Sequence, residues 1–177
     1  MTDLLPLALA ALFAVAGPVP GVPAPPEGKL EQELSQVAAA RAQEEMTRLL
    51  AELEKDPSQS AVTKAEVKAK LSRLKIAIYT TPRSVDECVT FYAGKVKGAT
   101  FLFAERQILP DLIELSQGGR FQVTAEMQKA AEGKSCRYAR WSRDDGELWI
   151  GIEDHLIDPR DGKVTKQTVV MVNSMAE

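Results

Sequence analysis

The sequence predicts an α+β protein. It should hold an antiparallel sheet with a C-terminal three-strand meander packed against helices, preceded by a long N-terminal helix. Three observations predict this. From Lys134 to Asn173, stretches of period-two alternation are separated by turns rich in Asp, Pro and Gly. Upstream, Ser84–Val96 carries apolar residues at helical spacing behind a capping box. Further upstream, Lys29–Lys55 is a run of strong helix formers, ended by Asp56-Pro57 because the residue before proline avoids the α region.

The 177 residues allow one domain plus extensions, and 45% hydrophobic with 27% charged residues is ordinary for a globular chain. A net charge of −3 offers no basic face for a phosphate backbone, so no nucleic acid is expected as a partner.

Taken in order, Leu4–Ala16 ("LLPLALAALFAVA") is apolar throughout. It is shorter than the roughly 20 residues of a membrane-spanning helix and has the length of a signal-peptide h-region. Ala14 and Ala16 place small residues where a signal peptidase reads, so residues 1–16 are expected to be a signal peptide. No stable membrane span then remains after cleavage. Asp3, and the lack of any Lys or Arg before Lys29, argue against this and leave an uncleaved anchor or a cytoplasmic chain as the other outcomes. Residues 17–28 carry five prolines and are expected to be a linker without helix or strand.

Residues 29–57 form a helical arm with two apolar stripes, one of Leu30, Leu34 and Val37 and one of Met46, Leu50 and Leu53. The arm either packs on the domain or pairs with a second copy. The α+β domain is expected over residues 64–174. Ala65–Leu74 is helical in composition. Lys75–Thr81 ("KIAIYTT") alternates as a strand. Ser84 and Glu87 form the capping box of a helix whose buried face is Val85, Cys88, Val89, Tyr92 and Val96. Ala99–Glu105 is a second strand. "LPDLIELSQGG" is a short helix, and Thr124 caps another over Thr124–Ala131. "SCRYARW", "ELWIGIEDHLI" and "KVTKQTVVMVN" form the meander. Trp141, Trp149 and Tyr138 cluster on its neighbouring strands, as a covered sheet face.

One stretch raises the question of chemistry. "LWIGIEDHLIDPRDGKV", Leu148–Val164, holds the only histidine, with Glu153 and Asp154 before it and Asp158 and Asp161 after it. Strand alternation puts Glu153 and His155 on one face, where a carboxylate and an imidazole could chelate a divalent metal. Asp158 would have to supply the third ligand. The EF-hand pattern fails at Ile157 and Pro159. The simpler account is solvent-facing polar residues flanking a turn, with Gly162 at a position suited to positive φ. No P-loop, G-x-G-x-x-G, C-x-x-C or G-x-S-x-G is present, so no cofactor is expected.

The two cysteines could form a bridge, and strand register decides it. A three-residue loop between the first two meander strands puts Cys136 on the face of Leu148, Ile150 and Ile152, toward the helix of Cys88. A two-residue turn puts Ala139 and Trp141 there instead.

"YTTPRSVDECVTFYAGKV" resembles the strand–helix opening of small exported bacterial α+β proteins. "IEDHLIDPRDGKVTKQTVVMV" is similar to their terminal hairpin. The resemblance implies export and an α+β domain, and it carries no catalytic residue. Three functions follow in order of preference. The first is a periplasmic or secreted, non-enzymatic module that binds a small-molecule ligand or a protein partner. The second is a metal-assisted enzyme using Glu153, His155 and Asp158. The third is a homo-oligomeric assembly component joined through the Lys29–Lys55 helix.

Overall fold

The computed structural model describes residues 15–56, 58, 60–96, 98–117, 121–143, 147–155, 157–158 and 161–175. Most of the Leu4–Ala16 run lies outside them, as do Gly118-Gly119, Asp144–Gly146 and Pro159. The elements run β1 (Val15–Ala16), β2 (Lys29–Leu30), α1 (Gln32–Lys55), α2 (Ala61–Leu71), β3 (Lys75–Thr81), α3 (Val85–Ala93), β4 (Thr100–Gln107), α4 (Ile108–Gln117), α5 (Ala125–Ala131), β5 (Ser135–Ser142), β6 (Leu148–Glu153) and β7 (Thr168–Ser174).

The protein is α+β. Five long strands lie side by side in the order β4-β5-β6-β7-β3, each antiparallel to its neighbour. The expected meander is β5-β6-β7, flanked by β4 on one side and β3 on the other. The short strands β1 and β2 add to the outer edge of β3, one parallel and one antiparallel. That edge is closed further by hydrogen bonds. Gly17 N–H donates to the Ile76 carbonyl at 3.0 Å and Glu31 N–H to that of Ile78 at 2.8 Å. Ile78 N–H donates to the buried Ser35 hydroxyl at 2.9 Å. At the opposite edge no strand among the described residues pairs with the outer side of β4, and Phe101, Leu102 and Phe103 are exposed there.

Alternation along the strands gives the sheet two faces. The first carries Ala77, Tyr79, Trp141, Ile150, Ile152 and Val170, and α3 packs on it with Val85, Cys88 and Tyr92. The capping box that starts α3 is present, with Ser84 accepting from Glu87 N–H and Glu87 accepting from Ser84 N–H. The proline-rich segment, which holds neither helix nor strand, lies against this face. Val19 is buried in its core. The Tyr92 hydroxyl donates to the Pro23 carbonyl at 2.8 Å, and the Thr81 hydroxyl to that of Pro26 at 2.7 Å. An Arg83–Glu27 ion pair closes the segment from outside.

The second face is covered from two sides. Near β3, the first half of α1 sets Leu34 and Ala39 against Ile76, Ile78 and Val169. Near the ends of β4 and β5, α4 and α5 bury Ile108, Leu112 and Ala131 with Cys136 and Ile157.

Several boundaries differ from the expectation. β6 stops at Glu153 rather than running to Ile157, because the Asp154 carboxylate takes the Arg137 N–H at 2.7 Å and His155 turns to φ +57°. β7 starts at Thr168 rather than Lys163, and Val164 only bridges Ile157. The expected aromatic cluster is split: Trp141 belongs to the first face, whereas Trp149 and Tyr138 have the parity of the second. Gly162 does adopt positive φ, at +72°.

Register also settles the cysteines. Trp141 pairs with Ile150 and Ala139 with Ile152, so Cys136 points to the face opposite Cys88. Both thiols are free and buried.

Candidate functional site

The second face is not filled. Between α1 and α4 a cleft of about 630 Å³ descends to the sheet, within the range of small-molecule sites. Its α1 wall consists of Leu34, Val37, Ala38, Arg41, Ala42 and Glu45. These positions recur at three- and four-residue spacing, which places them on one stripe of the helix. The alanines matter most, since methyl groups at 38 and 42 leave empty the space that larger side chains would take. Ile76 and Ile78 of β3, with Met171 and Asn173 of β7, form the floor. Ile108 and Ile157 close the far side.

One end of the cleft is charged. Arg106, near the end of β4, sits opposite Cys136 on β5 and reaches diagonally to β6. Its Nη2 is 2.5 Å from Glu153 Oε2, and its Nε is 3.6 Å from Asp111 Oδ2 in the first turn of α4. The guanidinium carbon lies 4.6 Å above the Tyr138 ring. Burial raises the Glu153 carboxyl above the ordinary carboxylate range, and Arg106 only partly opposes it. Burial likewise raises the Cys136 thiol, against a smaller opposing pull from Arg106.

Glu153 and His155 both line this cleft, as alternation implied. His155 does so from a left-handed backbone that few non-glycine residues adopt. Its Nδ1 lies 3.2 Å from Asp154 Oδ1, but this buried nitrogen has no hydrogen-bond partner among the described residues. Asp158 is elsewhere. It is buried in the β6–β7 connection, where its N–H donates to the Lys163 carbonyl at 2.7 Å and its carbonyl accepts from Gly162 at 2.8 Å. Glu153, His155 and Asp158 therefore do not converge as a ligand set. Among the described residues no three His, Cys, Asp or Glu side chains are placed to hold a metal ion.

Arg106 and Asp111 are the residues that sequence reasoning missed. Their one signal was an arginine at the end of an apolar strand followed by an acid in the next helix's first turn, where the helix dipole favours negative charge. Asn173 was missed too. Its Oδ1 is buried in the cleft floor and has no hydrogen-bond donor among the described residues. No helix among the described residues is long and apolar enough to cross a membrane. No family model, no curated protein and no solved structure matches the chain.

Proposed function

We propose that the protein is an exported, non-enzymatic module that binds a small molecule in the cleft between α1 and α4. One observation carries this: a cleft of about 630 Å³ lies between α1 and α4, bordered by the half-buried Ala38 and Ala42 of α1 and the half-buried Met171 of β7. Volume favours a small molecule over a partner helix, whose diameter with side chains is about 10–12 Å. A binding role is supported over covalent catalysis by the state of Cys136. Burial holds this thiol protonated, whereas nucleophilic cysteines need a lowered pKa. Export rests on the Leu4–Ala16 run and the resemblance to small exported proteins.

Two measurements test the proposal. Purified protein is titrated with the apolar dye N-phenyl-1-naphthylamine, alongside Ala42→Trp, which fills the cleft from a half-buried position. Saturable fluorescence enhancement, weakened at least tenfold in the variant at unchanged melting temperature, is expected. No enhancement, or equal enhancement in both, would show the cleft is not a binding site. For export, N-terminal sequencing of protein from a periplasmic fraction should begin after Ala16; an intact Met1 in the cytosol refutes it.

A further inference from the structure

We infer that the cleft selects an alkyl amine, seating an ammonium group against Glu153 and Asp111 with its apolar body along Met171, Val37 and Ala38. The inference rests on the proposed binding role and adds the sign of the ligand's charge.

The first support is charge. Among the described lining residues, four carboxylates (Glu45, Asp111, Glu114 and Glu153) face two guanidiniums (Arg41 and Arg106). Arg106 is already bracketed by two carboxylates at 2.5 and 3.6 Å. An anionic head would have to displace one of them and would then lie beside both. An ammonium instead meets an excess of negative charge, with the mostly buried Glu153 the least screened of the four carboxylates.

The second support is the placement of hydrogen-bond acceptors. Glu153 gives Oε2 to Arg106, and its side chain, 15% exposed, lines the cleft. A cation is the partner that such a carboxylate hydrogen-bonds most strongly. At the other end of the floor, the buried Asn173 Oδ1 has no donor among the described residues. Glu153 is paired with Val169, four residues from Asn173 along β7, so these acceptors stand about 13 Å apart at strand rise. Between them the floor is apolar. A ligand that donates at its head and is apolar along its body matches this sequence of surfaces. A raised Glu153 pKa agrees with the geometry, since a cation bound beside it would lower that pKa again.

Three probes with the same eight-carbon chain separate the alternatives: octylamine, octan-1-ol and octanoate, each displacing N-phenyl-1-naphthylamine at neutral pH. Octylamine is expected to displace the dye at a concentration at least tenfold below octanoate, with octanol between them. The order should persist at 0.5 M salt, on the order of a 4 Å screening length, which removes any general attraction of cations to an acidic protein. Glu153→Gln should narrow the octylamine–octanoate ratio to under threefold while leaving octanol unchanged. Asp111→Asn should do the same in part, and serves if the first variant folds poorly. Octanoate binding as well as octylamine, or a ratio untouched by both variants, would overturn the charge assignment alone. Absence of dye uptake sensitive to Ala42→Trp would instead overturn the binding role beneath it.

Discussion

The two faces of one sheet are finished in opposite ways. On the first, α3 and the proline-rich segment close over the strands, and each buried polar atom of Tyr92 and Thr81 finds a carbonyl. On the second, α1 and α4 stand apart, and a charged cluster occupies the gap between them. Alternation gives each face its own residues, apolar on the first and mixed with Arg106, Glu153 and Asn173 on the second. The covering layer differs as well: Val85, Cys88 and Tyr92 fill the space on one side, whereas Ala38 and Ala42 leave it open on the other. The first face is closed by its covering layer, and the proposed binding site lies on the second.

That division can be broken by paired substitutions. Tyr92→Ala on the closed face should cost about 3–5 kcal/mol, the range for deleting a large aromatic from a packed core. Met171→Ala on the open face should cost less than about 2 kcal/mol, because Met171 is only half-buried and the space it leaves joins the cleft. Urea unfolding measures both, and equal losses would show that the two faces are packed alike.

Gly151 tests the second face beside the cleft. A Cβ there would stand 2.4 Å from Trp149 Cη2, so the indole lies directly on the glycine. Gly151→Ala should displace it, cost about 1–2 kcal/mol and shift tryptophan emission; an unchanged spectrum would argue against the close approach. A smaller effect is expected for Tyr92→Phe. Removing the hydroxyl leaves the Pro23 carbonyl without its donor and should cost about 1 kcal/mol. Glu153 gives the smallest effect, seen as a slope. Its native carboxyl keeps a proton to higher pH than the ordinary value of 4.5. Just above 4.5 the native state therefore binds more protons than the unfolded chain, and this group's contribution to stability falls as pH rises until the carboxyl is ionised in both states. Glu153→Gln should remove that part of the pH dependence; an identical profile would place the carboxyl in solvent.

The closed face was largely legible in the sequence. Ser84 and Glu87 announce the start of α3, its apolar spacing marks the buried side, and alternation in β5 and β6 left two registers, of which the one with Ala139 and Trp141 inside is realised. These are local signals carried within single elements. The cleft was not legible, because it is made by elements distant in sequence. Arg106 and Glu153 meet only once β4, β5 and β6 are aligned, and α1 forms a wall only because β2 and Ser35 anchor its start to β3. The proline-rich segment misleads for a related reason. Its composition excludes regular structure but says nothing of the carbonyls it offers to Tyr92 and Thr81.

The two free thiols lie one on each face, both in the interior. Their separation gives the molecule a pair of native reporters of its own breathing. Cys88 is wholly enclosed and its pKa is pushed up to about 11, so it reacts with an alkylating reagent only when α3 lifts from the sheet. Cys136 reports the opening of the α4–α5 layer in the same way. Alkylation rates at the two sites, followed by mass spectrometry, would therefore measure the local opening free energies of the two halves of the fold separately. A ligand held in the cleft should slow Cys136 and leave Cys88 unchanged.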